Sequence, residues 1–271
     1  MGRKIRIGAL ISGGGTNLQS IIDACESGKI SGKMVFVGSD NSSATGLKRA
    51  EKHSIPFFII DYPKIIKAIS AGGQKPEIPE DFDLETILSK QTIFSDTADE
   101  EEVKRFLITR AVAEAALLEK MNPFEFDLLV LAGFMRNLTP YFIDRVNIDP
   151  GHPRIMNIHP ALLPSFPGVD GYGDTFRYGC KVGGCTVHFI DYGEDSGPII
   201  GQKTFTIEPY DTIDSIKEKG LKKEWELYRD CIQLFADNRL KTEKISFTAG
   251  SGKKVQRTIV KIVKLGDFLP D

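Results

Sequence analysis

The chain has 271 residues, 41% of them apolar and 27% charged, with a formal net charge of −2. That composition fits a globular protein with a sizeable core, in a chain long for one small domain and short for two generous ones. It supplies no global field toward nucleic acid or an acidic membrane surface, and no apolar run reaches the roughly 18 residues of a spanning helix. The start, MGRKIRIGALISGGG, is basic, but its apolar run is short and reads as a strand rather than a secretory leader. A cytoplasmic protein with neither a nucleic-acid nor a membrane partner is the expectation. Cys25, Cys180, Cys185 and Cys231 form no CxxC pair and no second cysteine pair, so free thiols and no metal are expected.

The first third alternates strand and helix signals. KIRIGALI (Lys4 to Ile11) is a β-rich run. After SGGG, apolar residues at Leu18, Ile21, Ile22 and Cys25 follow helical spacing, and Gly28 stands where such a helix stops. KMVFVGSD (Lys33 to Asp40) is a second strand. SSATGLKRAEKHSI is a second helix with Ser42 or Ser43 as its N-cap, and PFFIID (Pro56 to Asp61) a third strand. This alternation implies a parallel sheet with right-handed crossovers. The rhythm breaks over residues 63–107, where AGGQKPEIPEDFD reads as a surface loop. DTADEEEVKRFLITRAVAEAALLEKM is a helix with acids in its first turns, which suits the helix dipole. FDLLVLAGF (Phe126 to Phe134) is nearly all apolar, as in the buried centre of a parallel sheet. RIMNIHP and GCTVHFID are further strands. DTIDSIKEKGLKKEWELYRDCIQLFADNRL is one or two helices, and KISFTAGSGKKVQRTIVKIV a hairpin turning at AGSGKK.

Two stretches carry chemistry. In ISGGGTNLQ a strand turns through glycines into a helix, where free N–H groups meet an anion. No GK[ST] follows, and Leu18 occupies the last glycine position of a dinucleotide fingerprint, so a single phosphate fits better than a dinucleotide. Thr16 and Asn17 add side-chain donors. The second stretch is MNIHPALLPSFPG. Strand alternation puts Asn157 and His159 on one face, at the end where α/β sheets bind ligands. Pro160, Pro164 and Pro167 stiffen the loop after His159. Asp191, Glu194 and Asp195 come later in a glycine-containing loop, and a carboxylate there suits an imidazole. Asn157 is a donor for a developing oxyanion. With no GxSxG motif, the substrate brings its own nucleophile. The structural alternative is that Asn157 caps the strand and His159 packs under the proline loop; spacing alone leaves both readings open.

In combination, ISGGGTNLQ, LAGFMRNLTP, MNIHPALLPSFPG, GCTVHFIDYGEDSGPII and the EWELYRD helix, in that order, resemble the glycinamide ribonucleotide formyltransferases of purine synthesis. The resemblance runs from Lys4 to about Leu240. It implies a Rossmann-like, mostly parallel α/β sheet with helices on both faces: a single formyltransferase domain with core residues 1–62 and 108–240, an insertion at 63–107 and an extension at 241–271. It also implies transfer of a formyl group from 10-formyltetrahydrofolate to the amine of glycinamide ribonucleotide, without metal. By resemblance Asn157, His159 and Asp195 are the catalytic trio. Gly15, Thr16 and Asn17 match the phosphate loop, and Glu224 matches the acid that holds the ribose hydroxyls. Met135 and Pro160 fall at the ribonucleotide, and Arg110, Arg136, Asn137, Leu138 and Asp191 at the folate.

Three departures stand out. The stretch after the proline loop, VDGYGDTFRYGCKVGG, lacks the family's usual histidine. Asn137 replaces a usual apolar residue. The insertion and the C-terminal hairpin fall outside the common pattern; covering the folate cleft, forming a homodimer surface and plain surface elaboration are the alternatives, with the last taken first. A formyltetrahydrofolate hydrolase shares the Asn, His and Asp core but needs no phosphate loop and normally carries an N-terminal regulatory domain. A non-catalytic nucleotide or folate sensor would not need all three catalytic positions.

Overall fold

The computed structural model describes residues 4–70, 77–149, 151–248, 250 and 252–264. Part of the expected surface loop, residues 71–76, and residues 249 and 251 of the hairpin turn lie outside them.

Seven strands form one sheet in the order β3-β2-β1-β4-β5-β6-β7. They are β1 (Ile5–Ile11), β2 (Gly32–Ser39), β3 (Phe57–Ile59), β4 (Leu128–Leu131), β5 (Ile155–His159), β6 (Val182–Phe189) and β7 (Ile199–Thr206). The first five pair in parallel. β6 runs antiparallel to both of its neighbours, β5 and β7, so six of the seven strands share one direction and the sheet is mostly parallel, as expected. Chain order reverses between β1 and β4, and a doubly wound sheet opens its ligand crevice beyond the strand ends at such a point. The sheet is fully buried where it passes through the middle: β4 is LLVL with every residue buried, since helices cover both faces.

One face packs against α1 (Thr16–Glu26), α2 (Leu47–Lys52) and the long α8 (Ile213–Ala236), with Leu18, Ile21, Ile22, Tyr228 and Ile232 in a core with Ile7, Val130 and Met156. α8 is one continuous helix, started by a capping box between Thr212 and Ser215. The other face packs against α3 (Tyr62–Ser70), α5 (Glu100–Met121) and α6 (Pro140–Val146) through Leu10, Phe36, Leu129 and Phe142. Asp99 caps α5, and Glu100, Glu101 and Glu102 fill its first turn, as the acidic run predicts. α2 corrects the expected capping: Gly46, not Ser42 or Ser43, precedes it, and no side chain caps it.

The described part of the segment 63–107 is more ordered than its glycine, proline and acid content suggests. It contributes α3, α4 (Leu84–Lys90) and the start of α5. Ile87, Val103, Leu107 and Ala111 make a small core of their own with Tyr141 of α6, flanked by Phe82, Phe94 and Phe106. The C-terminal hairpin forms as expected from β8 (Leu240–Thr248) and β9 (Lys254–Ile262). The short helix α7 (Gly171–Arg177) lies in the histidine-free stretch after the proline loop.

Candidate active site

β5 delivers Asn157 and His159 to one cavity, with Ile158 in the core between them. His159 Nδ1 lies 3.0 Å from Asp195 Oδ2. Its Nε2 lies 2.8 Å from the Phe166 carbonyl oxygen. Both ring nitrogens therefore face acceptors, an arrangement only the doubly protonated ring satisfies. Burial is the largest single influence and disfavours that charge. The hydrogen bond and charge of Asp195, with the Phe166 carbonyl, outweigh it and raise His159 above the ordinary imidazole value. Asp195 mirrors this: burial pushes it up, but the hydrogen bond and charge of His159, with the Gly168 N–H, hold it far below the usual carboxylate range.

The loops that make these contacts are held in unusual conformations. Phe166 and Asp195 have φ of 54° and 49°, a left-handed region that side chains rarely occupy. The Gly168 N–H donates to Asp195 Oδ2 at 2.9 Å, tying the proline loop to the aspartate loop. Thr186 of β6 donates to the Ala161 carbonyl at 2.7 Å and accepts from the Leu163 N–H at 3.0 Å. Gln202 of β7 donates to the Leu163 carbonyl at 2.9 Å. The stiff proline loop thus serves to aim the Phe166 carbonyl and Gly168 amide at the His159–Asp195 pair.

The cavity has a volume of about 340 Å³ and lies beyond the carboxyl ends of β1, β4 and β5. Asn17, Arg110, Met135, Arg136, Asn137, Leu138, Pro160, Asp191 and Glu224 line it together with the trio. Gly15 and Thr16 do not; they form the start of α1 beside it. Gly15 has φ 66°, and a Cβ there would sit 2.9 Å from the Gly46 Cα, so the turn requires glycine on both counts. Asn17 is expected among the donors of the phosphate loop. Its Nδ2 donates to Glu224 Oε2 at 2.7 Å, while its Oδ1 is buried without a partner. Arg136 donates to the buried Asp40 at 2.5 Å. Asn137 donates to Glu194 at 3.2 Å, joining the loop after β4 to the aspartate loop. Asp191 accepts from Ser196 at 2.6 Å and from the Gly193 N–H at 3.2 Å, which folds that loop upon itself. Arg110 sits over the Phe106 and Tyr62 rings, with Nε and Nη1 buried and unpartnered.

Four residues of the site carry no signal of their role in the sequence. His188 faces Asn157 across the β5–β6 pair. Its Nδ1 lies 2.9 Å from the Phe189 carbonyl, which leaves Nε2 to accept from Asn157 Nδ2 at 3.2 Å. Nε2 is also 3.6 Å from Asp195 Oδ1. Alternation over VHFID places His188 opposite its neighbours, but only the antiparallel register brings it to Asn157. Tyr172 of α7 donates to Glu224 Oε1 at 2.7 Å. Arg49 of α2 donates to the Gly14 carbonyl at 2.9 Å and braces the glycine turn. Phe106 of α5 lines the cavity. The four cysteines are free, three of them buried.

An amide, an imidazole and a carboxylate at the switch point of an open sheet, with no serine or cysteine nucleophile among them, define an α/β enzyme suited to a carbonyl-derived oxyanion. Comparison with known proteins agrees. A family model described as Formyl transferase matches residues 5–232, and the chain belongs to that family. The phosphoribosylglycinamide formyltransferase of Haemophilus influenzae is 31% identical over 87% of this chain and 89% of its own. The Escherichia coli enzyme of the same name is 30% identical over 88% and 90%. Among solved structures, glycinamide ribonucleotide transformylase 1 from Symbiobacterium toebii superposes with a TM-score of 0.69 at 32% identity, covering 97% of this chain and 96% of that one. No helix among the described residues is long and apolar enough to cross a membrane.

Proposed function

We propose that the chain transfers the formyl group of 10-formyltetrahydrofolate to the amine of glycinamide ribonucleotide, a step of de novo purine synthesis in the cytoplasm. The observation that carries this is one cavity with three chemistries: the Asn157–His159–Asp195 cluster at its centre, the Asn17–Glu224 pair on one side, and Arg110, with its Nε and Nη1 unpartnered, on the other. Residues 1–62 and 108–240 act as one formyltransferase domain, with 63–107 as an insertion. The N–H groups at the start of α1 and the Thr16 hydroxyl take the substrate phosphate. Asn17 Oδ1 and Glu224 accept from the ribose hydroxyls. Arg110 holds an anionic group of the folate, and Met135 to Leu138 flank it.

The substrate amine attacks the formyl carbon, and the carbonyl oxygen becomes an oxyanion. One Asn157 N–H is committed to His188; the other donates to that oxygen. The positive His159 ring stabilises the same charge from beside the cavity. The tetrahedral carbon then expels the folate nitrogen, which takes up a proton as the amine loses one. The Asp195 carboxylate keeps His159 charged throughout.

Incubation with 10-formyltetrahydrofolate, with and without glycinamide ribonucleotide, tests the proposal. Tetrahydrofolate formed only with the ribonucleotide supports transfer. Equal formation in its absence means hydrolysis, and none in either case means a sensor.

A further inference from the structure

The histidine-free stretch after the proline loop forms α7, and α7 places a phenol in the site. Tyr172 is buried, and its hydroxyl donates to Glu224 Oε1. A matched glycine makes room for the ring: a Cβ on Gly220 of α8 would lie 2.1 Å from Tyr172 Cζ. α7 is seated just as closely on the chain beyond His159, since a Cβ on Gly171 would meet the Pro160 carbonyl oxygen at 2.7 Å. The two donors, Tyr172 and Asn17, take one carboxylate oxygen each. Each oxygen retains a second lone pair, and Glu224 lines the cavity beside the unpartnered Asn17 Oδ1. A cluster of acceptors held this way suits a vicinal diol.

We infer that Tyr172 is a positioning residue for the ribonucleotide, fixing the Glu224 carboxylate through its hydroxyl so that Glu224 and Asn17 Oδ1 together receive the ribose hydroxyls. The inference rests on the reading of Glu224 as the ribose acceptor. A second consequence concerns charge. Burial raises Glu224 above the ordinary carboxylate value, and the hydrogen bonds of Asn17 and Tyr172 and the charge of His159 oppose that rise. The other groups facing this cluster are the Cys185 thiol of β6 and the Tyr228 phenol of α8, both pushed up by burial and neutral. Tyr172→Phe removes one of the two donors. Ionisation of Glu224 then moves to higher pH, so ribonucleotide binding weakens at low pH and recovers as pH rises.

The experiment measures steady-state kinetics from pH 6 to 9 at saturating 10-formyltetrahydrofolate, varying glycinamide ribonucleotide, for wild type, Tyr172→Phe, Gly220→Ala and Glu224→Gln. Tyr172→Phe is expected to raise KM for the ribonucleotide roughly tenfold near pH 6.5, with the effect on KM rather than kcat and the deficit shrinking toward pH 9. Gly220→Ala, which displaces the ring, shifts KM the same way. An unchanged or pH-independent KM in Tyr172→Phe overturns the inference, as does a fall in kcat alone. If Gly220→Ala does not fold, Tyr172→Phe decides. The underlying reading fails separately: wild type without ribonucleotide-dependent product, or Glu224→Gln with an unaltered KM, refutes the function or the ribose assignment rather than the role of Tyr172.

Discussion

Glu114 of α5 is fully buried beneath the site. The Thr139 N–H donates to its Oε1 at 2.8 Å, and the Thr139 hydroxyl lies 2.5 Å from its Oε2. Burial pushes its carboxyl up to about 8, against the hydrogen bonds of Thr139 and the charge of Arg110. From the ordinary value of 4.5 that is a displacement on the order of 5 kcal/mol once both states have titrated. The folded state keeps a proton that the unfolded chain releases, so this contribution is complete below about pH 4.5. It declines as pH rises and is lost once pH passes about 8. Glu114→Gln preserves size, keeps an acceptor for the Thr139 N–H and offers its amide to the hydroxyl, but cannot ionise. Urea unfolding at half-unit steps from pH 5 to 8.5 measures the difference. Wild type should lose several kcal/mol more than Glu114→Gln across that range, the curves converging at the acid end and the variant being more stable at pH 8. Parallel stability profiles would refute the reasoning.

Three further outcomes are expected. Asn157→Ala removes the amide donor and should lower kcat about 10²–10³-fold, and His159→Ala by a similar factor; purified variants with near wild-type formyl transfer contradict the proposed roles. Asp195→Asn removes the carboxylate that outweighs burial at His159, so the imidazole should titrate at lower pH than in wild type; a proton NMR titration showing no downward shift argues against the pair. Tyr192→Phe removes the phenol that donates to Asp144 Oδ1 at 2.5 Å and should cost about 1 kcal/mol in urea unfolding, with kcat falling severalfold as Asp195 loses its fixed position. An unchanged kcat would mean that the aspartate loop stands without this anchor.

Much of the parallel core was legible because local signals agreed: a buried apolar run for β4, helical spacing for α1, an acidic first turn for α5. Alternation likewise placed Asn157 and His159 on one face. The features that escaped depend on pairing between distant segments. The antiparallel β6 brings His188 to Asn157, and no feature of the stretch Gly184 to Asp191 states its direction in the sheet. The meeting of Tyr172 with Glu224 depends on a glycine 48 residues further along, whose value is the space it leaves. Ser42 and Ser43 resemble caps in isolation, yet the chain turns once more before α2 begins at Leu47. Propensity names the residue suited to a boundary and tertiary packing chooses where the boundary falls.

The segment 63–107 shows the same limit and where function enters. Its composition favours an exposed loop, yet it touches the aspartate loop at several points. The Thr92 N–H donates to the Tyr192 carbonyl at 2.9 Å, and Lys90 pairs with Asp144 at 2.6 Å, the same carboxylate that Tyr192 engages. Phe106 contributes to the cavity wall, buttressed by Phe94 at a ring separation of 5.0 Å. The loop from Asp191 to Ser196 needs such support. It has no ladder of backbone hydrogen bonds, and it holds Asp195 at positive φ, a conformation that costs on the order of 1–2 kcal/mol for a residue with a side chain. The Asp195 contacts to His159 and Gly168 offset part of that cost from inside the cavity. Thr92 holds the same loop from outside, and Lys90 does so through Asp144 of α6, so these contacts of the segment 63–107 bear on the distance between carboxylate and imidazole.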